Sequence, residues 1–105
     1  MMNLGKMMKK AQEMQANMQN LQQELAAIEV EGESGGGMVK VTMTGTRQVK
    51  RITIEDALWA EQDKGLIEDL LAAAVNAASQ VAEEKSKAEQ QKLMAGLPIP
   101  PGFSL

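Results

Sequence analysis

The stretch from residue 30 to residue 54 constrains the fold most, because it alone alternates apolar and polar residues while both flanks repeat at helical spacing. Val39, Val41 and Met43 fall on one face of a strand, and the polar residues between them fall on the other. This pattern is typical of a half-buried antiparallel strand. The glycine run at residues 35–37 precedes that strand and allows a tight reversal, since glycine adopts positive φ without steric cost.

A third strand follows a second reversal at Thr44-Gly45-Thr46. Its alternation predicts Ile52 and Ile54 on one face and Val49, Arg51 and Thr53 on the other. Three short strands with one apolar face need a helical cover, and the two flanking helical segments are the only candidates. The predicted fold class is therefore α+β: an α-β-β-β-α protomer in which a three-stranded antiparallel sheet is covered by two long helices in two layers. The strands are predicted at about residues 29–33, 38–44 and 49–54.

The first helix is predicted over about residues 3–27. Its apolar residues recur at three- and four-residue spacing and form a seam like that of a coiled coil. At about 1.5 Å per residue the helix would be nearly 40 Å long, whereas a strand of about six residues spans about 20 Å. Half of the seam should overhang the sheet, and we expect a second copy of the chain, or another partner, to cover it. The residues assigned to this homodimer interface are Met7, Met14, Met18 and Leu21.

The second long helix is predicted over about residues 64–94, with Asp63 as its N-cap and a wide apolar stripe. Before it, residues 55–60 predict a short helical turn that places Leu58 and Trp59 on the core. Residues 1–95 are thus expected to form a single domain. Residues 96–105 contain three prolines and are expected to form an extended C-terminal tail.

Composition leaves carboxylates and lysines as the groups available for catalysis, and a carboxylate-dependent enzyme is disfavoured because no pair of acids is placed in a predictable cleft. The 105 residues include no Cys and no His, so thiolate chemistry, disulfides and the commonest general base are absent. The acidic pairs Glu55-Asp56 and Glu68-Asp69 do not converge on one ion, because adjacent helical residues diverge by about 100°. The glycine run could form an anion-binding nest, but it lacks the rest of a P-loop and is better explained as a hairpin turn. We expect no catalytic residues, no metal, no cofactor and no small-molecule substrate.

The charge distribution suggests where a polyanion could bind. The net charge is −3, but residues 1–54 carry a balance of +2 and residues 55–105 a balance of −5. No apolar run approaches the length of a membrane-spanning helix, which is about 20 residues, so we expect a cytoplasmic protein without membrane contact. Two clusters hold no acidic residue, and any polyanion contact is expected there: Lys6, Lys9 and Lys10 on the first helix, and, as a secondary candidate, Arg47, Lys50 and Arg51 around the second hairpin.

Several motifs together are similar to those of a known family. They are Val30-x-Gly32-Glu33-Ser34-Gly35-x-Gly37-x-Val39-x-Val41 with Gly45, then Glu68-Asp69-Leu70, Ala73-Ala74-x-Asn76-x-Ala78 and Pro100-Pro101-Gly102-Phe103. In these motifs the chain resembles the YbaB/EbfC family of bacterial nucleoid-associated proteins, over essentially its whole length. Two features depart from the family pattern: Ala57 stands where a proline often follows the third strand, and the late second helix is acidic at Glu83 and Glu84.

The resemblance implies a non-enzymatic homodimer shaped like tweezers, with protruding helices, that binds double-stranded DNA in the cytoplasm and alters its conformation. Roles in nucleoid organisation, gene regulation and DNA protection would follow. From the residues themselves, a few lysines per protomer without an Arg-rich recognition helix favour phosphate contacts over base readout. The alternative is a protein-interaction adaptor whose Met-rich helices dock a partner helix. Salt distinguishes the two, since only DNA binding should weaken steeply with salt.

Overall fold

The computed structural model describes residues 3–95, and it confirms the predicted fold class. A three-stranded antiparallel sheet in the order β1-β2-β3 is combined with two long helices. The predicted C-terminal tail lies outside the described residues. The elements are α1 (Leu4–Ala27), β1 (Glu29–Ser34), β2 (Val39–Thr44), β3 (Val49–Ile54), the short α2 (Asp56–Ala60) and α3 (Lys64–Ala95).

The core lies between α3 and the sheet face formed by β1 and β2. Val39, Val41 and Met43 point toward α3 and are almost fully buried, as the alternation predicts. The β3 strand lies outside this cover, so its apolar residues Val49 and Ile52 are each 45% exposed. At its closest approach to the sheet α3 presents only small side chains, which let two backbones come close together: Ala74, Ala78 and Ala82.

Gly32 of β1 lies where the α3 backbone comes nearest to the sheet. A Cβ atom at this position would lie 2.2 Å from the amide nitrogen of Ala78 and 2.6 Å from the carbonyl oxygen of Ala74. No side chain can occupy that space, because both neighbours are helix backbone atoms. The position of α3 on β1 therefore depends on glycine at residue 32.

The reversal between β1 and β2 is a 3-10 turn at Gly35–Gly37. All three glycines have positive φ, with values of 62°, 67° and 93°, which other residues rarely adopt. The amide of Met38 donates a hydrogen bond to the carbonyl of Gly35 and closes the turn at 3.4 Å. The glycine run therefore serves as the predicted hairpin turn.

A β-bulge changes the face on which one residue of β3 lies. Thr42 pairs with Arg51 but Met43 pairs with Val49, so Lys50 is an extra residue in β3. Paired residues share a face, which places Val49 beside Met43 on the α3 side. The prediction that Val49 shares the face of Arg51 is wrong, because strict alternation does not allow for the extra residue.

Within residues 3–95, the fully buried side chains of the first helix lie in its C-terminal half. Leu21 and Leu25 are 5% and 1% exposed, and Leu21 lies with Leu93 between α1 and the end of α3. The amide of Gly45 donates to the carbonyls of Leu25 at 2.9 Å and Ile28 at 3.1 Å, which joins the end of α1 to the β2–β3 turn. We call α1 together with residues 83–95 of α3 the arm. It makes the molecule 72 Å long, and its N-terminal turns extend beyond the sheet as predicted.

The segment before α3 confirms one prediction and contradicts another. Leu58 is 1% exposed and belongs to the core, but Trp59 is 66% exposed. The prediction that both residues face the core is wrong, because neighbouring residues on α2 point about 100° apart. Asp63 caps α3 as predicted, and its Oδ1 accepts a hydrogen bond from the amide of Leu66 at 3.1 Å.

Candidate nucleic-acid interface

The tip of the arm carries the first predicted basic cluster. Lys6, Lys9 and Lys10 lie in the first two turns of α1 and are exposed, and none of the ion pairs formed within residues 3–95 involves them. Asn3 caps the helix by accepting from the amide of Lys6 at 3.2 Å, and no acidic residue occupies the first turn. The positive end of the helix dipole disfavours cations by about 0.3–1 kcal/mol each. Lysines here do not stabilise the fold, and they are available for an external anion.

The second predicted cluster is largely paired within the protomer. The Nη2 atom of Arg47 lies 3.2 Å from Oε2 of Glu83, and Nζ of Lys50 lies 2.9 Å from Oε1 of Glu29. The hydrogen bond from Lys50, followed by its positive charge, lowers the pKa of Glu29. Arg51 lies on the sheet face opposite α3. Any anion that contacts this cluster must compete with two carboxylates.

The structure does not bring the two clusters together. Lys6 and Leu25 are nineteen residues apart on α1, which corresponds to about 28 Å along the helix axis. Leu25 in turn bonds to Gly45, two residues from Arg47. The clusters therefore lie near opposite ends of the arm.

The residues predicted for a homodimer interface differ in their exposure. Met7 is 52% exposed and Met18 is 38% exposed, whereas Met14 is half-buried. Leu21 is buried inside the protomer against the end of α3, so its side chain already packs within one chain. Leu4 and Met8, near Met7, add to the exposed apolar surface at the tip.

Sequence reasoning missed the role of the acidic residue at the base of the arm. Glu83 lies between two cations, because its Oε1 atom is also 3.4 Å from Nζ of Lys87. The four-residue spacing of Glu83 and Lys87 is visible in the sequence and indicates a helical ion pair. The contact with Arg47 joins residues far apart in the chain, and no local pattern indicates it.

Neither a metal site nor a membrane span is found in the part of the chain that the structure describes. Residues 3–95 contain no group of three acidic, His or Cys side chains that could hold a metal ion. No helix among them is long and apolar enough to cross a bilayer.

Comparison with known proteins gives a family and a fold. The sequence model of the YbaB/EbfC DNA-binding family matches residues 1–97. The crystal structure of the uncharacterized protein HP0035 from Helicobacter pylori is similar over 90% of this chain and 99% of that chain, with a TM-score of 0.79. At 23% sequence identity, this second likeness supports the fold alone.

Proposed function

The chain belongs to the YbaB/EbfC DNA-binding family, and from this membership we propose that it acts as a homodimer on duplex DNA, mainly through phosphate contacts. The observation that supports this mode of binding is the cluster of Lys6, Lys9 and Lys10, exposed and without an acidic neighbour at the tip of the arm. Phosphate contacts supply affinity without sequence information. Binding of this kind would alter DNA conformation and suit roles in nucleoid organisation, gene regulation and DNA protection in the cytoplasm.

No enzymatic activity is proposed. The nucleic-acid surface offers lysine and arginine side chains, and residues 3–95 hold no His, Cys or cluster of metal ligands. The lysine and arginine side chains described at this surface are sufficient to bind phosphate groups.

The homodimer is proposed because the arm leaves apolar surface uncovered. Met7 and Met18 are exposed on α1, and a second copy would bury them along with the half-buried Met14. Leu21 contributes indirectly, by holding α1 against α3 so that the seam keeps its shape. Analytical sedimentation should give twice the 11.3 kDa chain mass at micromolar concentration, and a monomer would contradict the proposal.

A salt titration tests the DNA contact. A dimer presents the lysine cluster twice, so up to about six phosphates could be engaged, and log K against log salt should have a slope between about −3 and −6. The slope should be the same for unrelated duplexes of equal length. A salt-independent interaction would instead favour the alternative function, an adaptor whose Met-rich helices dock a partner helix.

Charge reversal locates the contact. Changing Lys6, Lys9 and Lys10 to Glu should nearly abolish binding to every duplex alike, while circular dichroism and the dimer mass stay as in the parent. A matched comparison changes Lys9 and Lys10 to Glu in one variant and Lys40 and Lys64 to Glu in another, since both carry the same change in net charge. If the two double variants weaken binding equally, the tip is not a specific contact.

A further inference from the structure

The β2–β3 turn holds an arginine in a backbone conformation that favours other residues. Arg47 has a φ of 68°, in the left-handed region where glycine and asparagine are common and long side chains are rare. The turn is held by a hydrogen bond from the amide of Arg47 to the carbonyl of Thr44 at 2.9 Å and by a contact of 2.8 Å between the hydroxyls of Thr44 and Thr46. The surrounding turn thus holds the backbone of Arg47 in this conformation at the expense of local strain.

This turn faces the base of the arm across a crevice that we call the crook. Arg47 and Lys87 both contact the carboxylate of Glu83, at 3.2 Å and 3.4 Å. Two cations around one carboxylate leave a net positive charge. The crook has a volume of about 350 Å³, and the polar side chains used below line it: Thr46, Arg47, Glu83, Ser86, Lys87 and Gln90.

An intramolecular ion pair does not explain why arginine occupies position 47. The side chains of Arg47 and Glu83 are 49% and 46% exposed, and ion pairs this exposed contribute little to stability. Glycine or asparagine at residue 47 would remove the backbone strain and lose only that weak pair. The arginine is therefore better explained by an external ligand that binds it more strongly than Glu83 does.

We propose that the crook binds a phosphate group of the DNA backbone and that Glu83 occupies this site when DNA is absent. A guanidinium group binds phosphate through two parallel hydrogen bonds, and Lys87 adds a second charge. Thr46, Ser86 and Gln90 can donate to the remaining oxygens. The acidic residue at position 83, which departs from the family pattern, then acts as a competitor that weakens binding without blocking it.

This inference rests on the proposed DNA binding but concerns a separate site. The tip lysines and the crook lie about 28 Å apart along α1. That distance is comparable with the helical repeat of B-DNA, which is about 34 Å. A duplex lying along the arm could present a phosphate to each site.

The test measures the affinity of fluorescently labelled duplex DNA over a range of salt concentrations. Glu83→Gln removes the competitor, and Glu68→Gln is the matched control, because it changes the same charge on α3 and Glu68 pairs with Lys64 at the other end of the helix. We expect Glu83→Gln to raise affinity about twofold to fivefold relative to Glu68→Gln. Equal affinities of the two variants would overturn the crook.

Substitutions of Arg47 provide the second part of the test. Arg47→Gly should lower affinity and reduce the magnitude of the salt slope by about one for each crook in the complex, without lowering the melting temperature. Arg47→Lys should recover part of the affinity, because the charge is retained. An unchanged affinity and slope for Arg47→Gly would show that the crook does not contact DNA.

Two further outcomes separate the possible ligands. If the parent protein binds no duplex, both the proposed function and the proposed phosphate site in the crook are wrong. If the parent binds and Arg47→Gly binds equally well, only the proposed phosphate site is wrong. Replacing chloride by inorganic phosphate at equal ionic strength should leave the advantage of Glu83→Gln unchanged. Saturable binding of inorganic phosphate to Glu83→Gln, without any gain in its affinity for DNA, would mean that the crook takes free phosphate, and the DNA assignment would be wrong.

Discussion

Gly32→Ala should be unusually destabilising for the addition of one methyl group. The new Cβ atom would lie 2.2 Å from the amide nitrogen of Ala78, 2.6 Å from the carbonyl oxygen of Ala74 and 2.7 Å from Cα of Ala78. All three atoms belong to the backbone of α3, so no rotation of a side chain can relieve the contact. The helix and the strand would have to separate by about 1 Å to restore ordinary packing.

The cost follows from what that separation does to the core. A gap of about 0.5–1 Å removes a quarter to a half of the dispersion energy of each contact that it opens. Here it would open the contacts that Ala74, Ala78 and their neighbours make with β1 and β2. Overpacking typically costs about 1–3 kcal/mol, and we expect about 3 kcal/mol because the backbone itself must move.

Urea denaturation followed by circular dichroism would measure the change. Gly5→Ala is the matched control, since its Cβ would lie on exposed α1 surface with its nearest neighbour, Oδ1 of Asn3, at an ordinary 3.4 Å. That control should stabilise the protein by up to about 1 kcal/mol, because alanine favours helix over glycine. A Gly32→Ala variant within about 1 kcal/mol of the parent would refute the inference that α3 depends on glycine at residue 32.

Gly36→Ala tests backbone strain without steric conflict, because nothing lies within 4 Å of the added Cβ while φ is 67°; a loss of about 1–2 kcal/mol in chemical denaturation is expected. Leu58→Ala should cost about 2–5 kcal/mol and Trp59→Ala about 0.5 kcal/mol or less in the same assay, since only the first side chain is buried. Lys50 lowers the pKa of Glu29 below its ordinary value of 4.5 in the folded state. That ion pair therefore stabilises the fold above this pH and is lost as the pH falls through the lowered value, so thermal melts of the parent and Glu29→Gln should converge at acid pH.

Local patterns in the sequence determined the secondary structure and its order. Alternation placed Val39, Val41 and Met43 on the buried face of one strand, and a glycine run with positive φ formed the turn before it. These features depend on the period of side chains along a strand and on the conformations open to each residue, and both act over a few neighbouring positions. For the same reason Asp63 was identifiable as a helix cap.

Tertiary structure decided which apolar residues reach the core. The bulge at Lys50 moved Val49 to the α3 side of the sheet, where the helix does not cover it. Trp59 has the largest apolar side chain of its segment and was predicted to lie in the core, yet the orientation of α2 exposes it to solvent. Register and helix orientation are set by packing between distant elements, so periodicity alone could not give either.

Some features of the candidate site follow from the sequence, and others depend on the tertiary structure. The lysines at the tip are close in sequence, and helical spacing alone indicated that they lie together. The family motifs, which are spread over the whole chain, are likewise a property of the sequence alone. By contrast, the pairing of Arg47 with Glu83 and the burial of Leu21 against α3 required the arm to fold back beside the β2–β3 turn. Charge clusters that depend on neighbours in sequence can be predicted from it, whereas the pairing of Arg47 with a carboxylate from another element is a property of the folded chain.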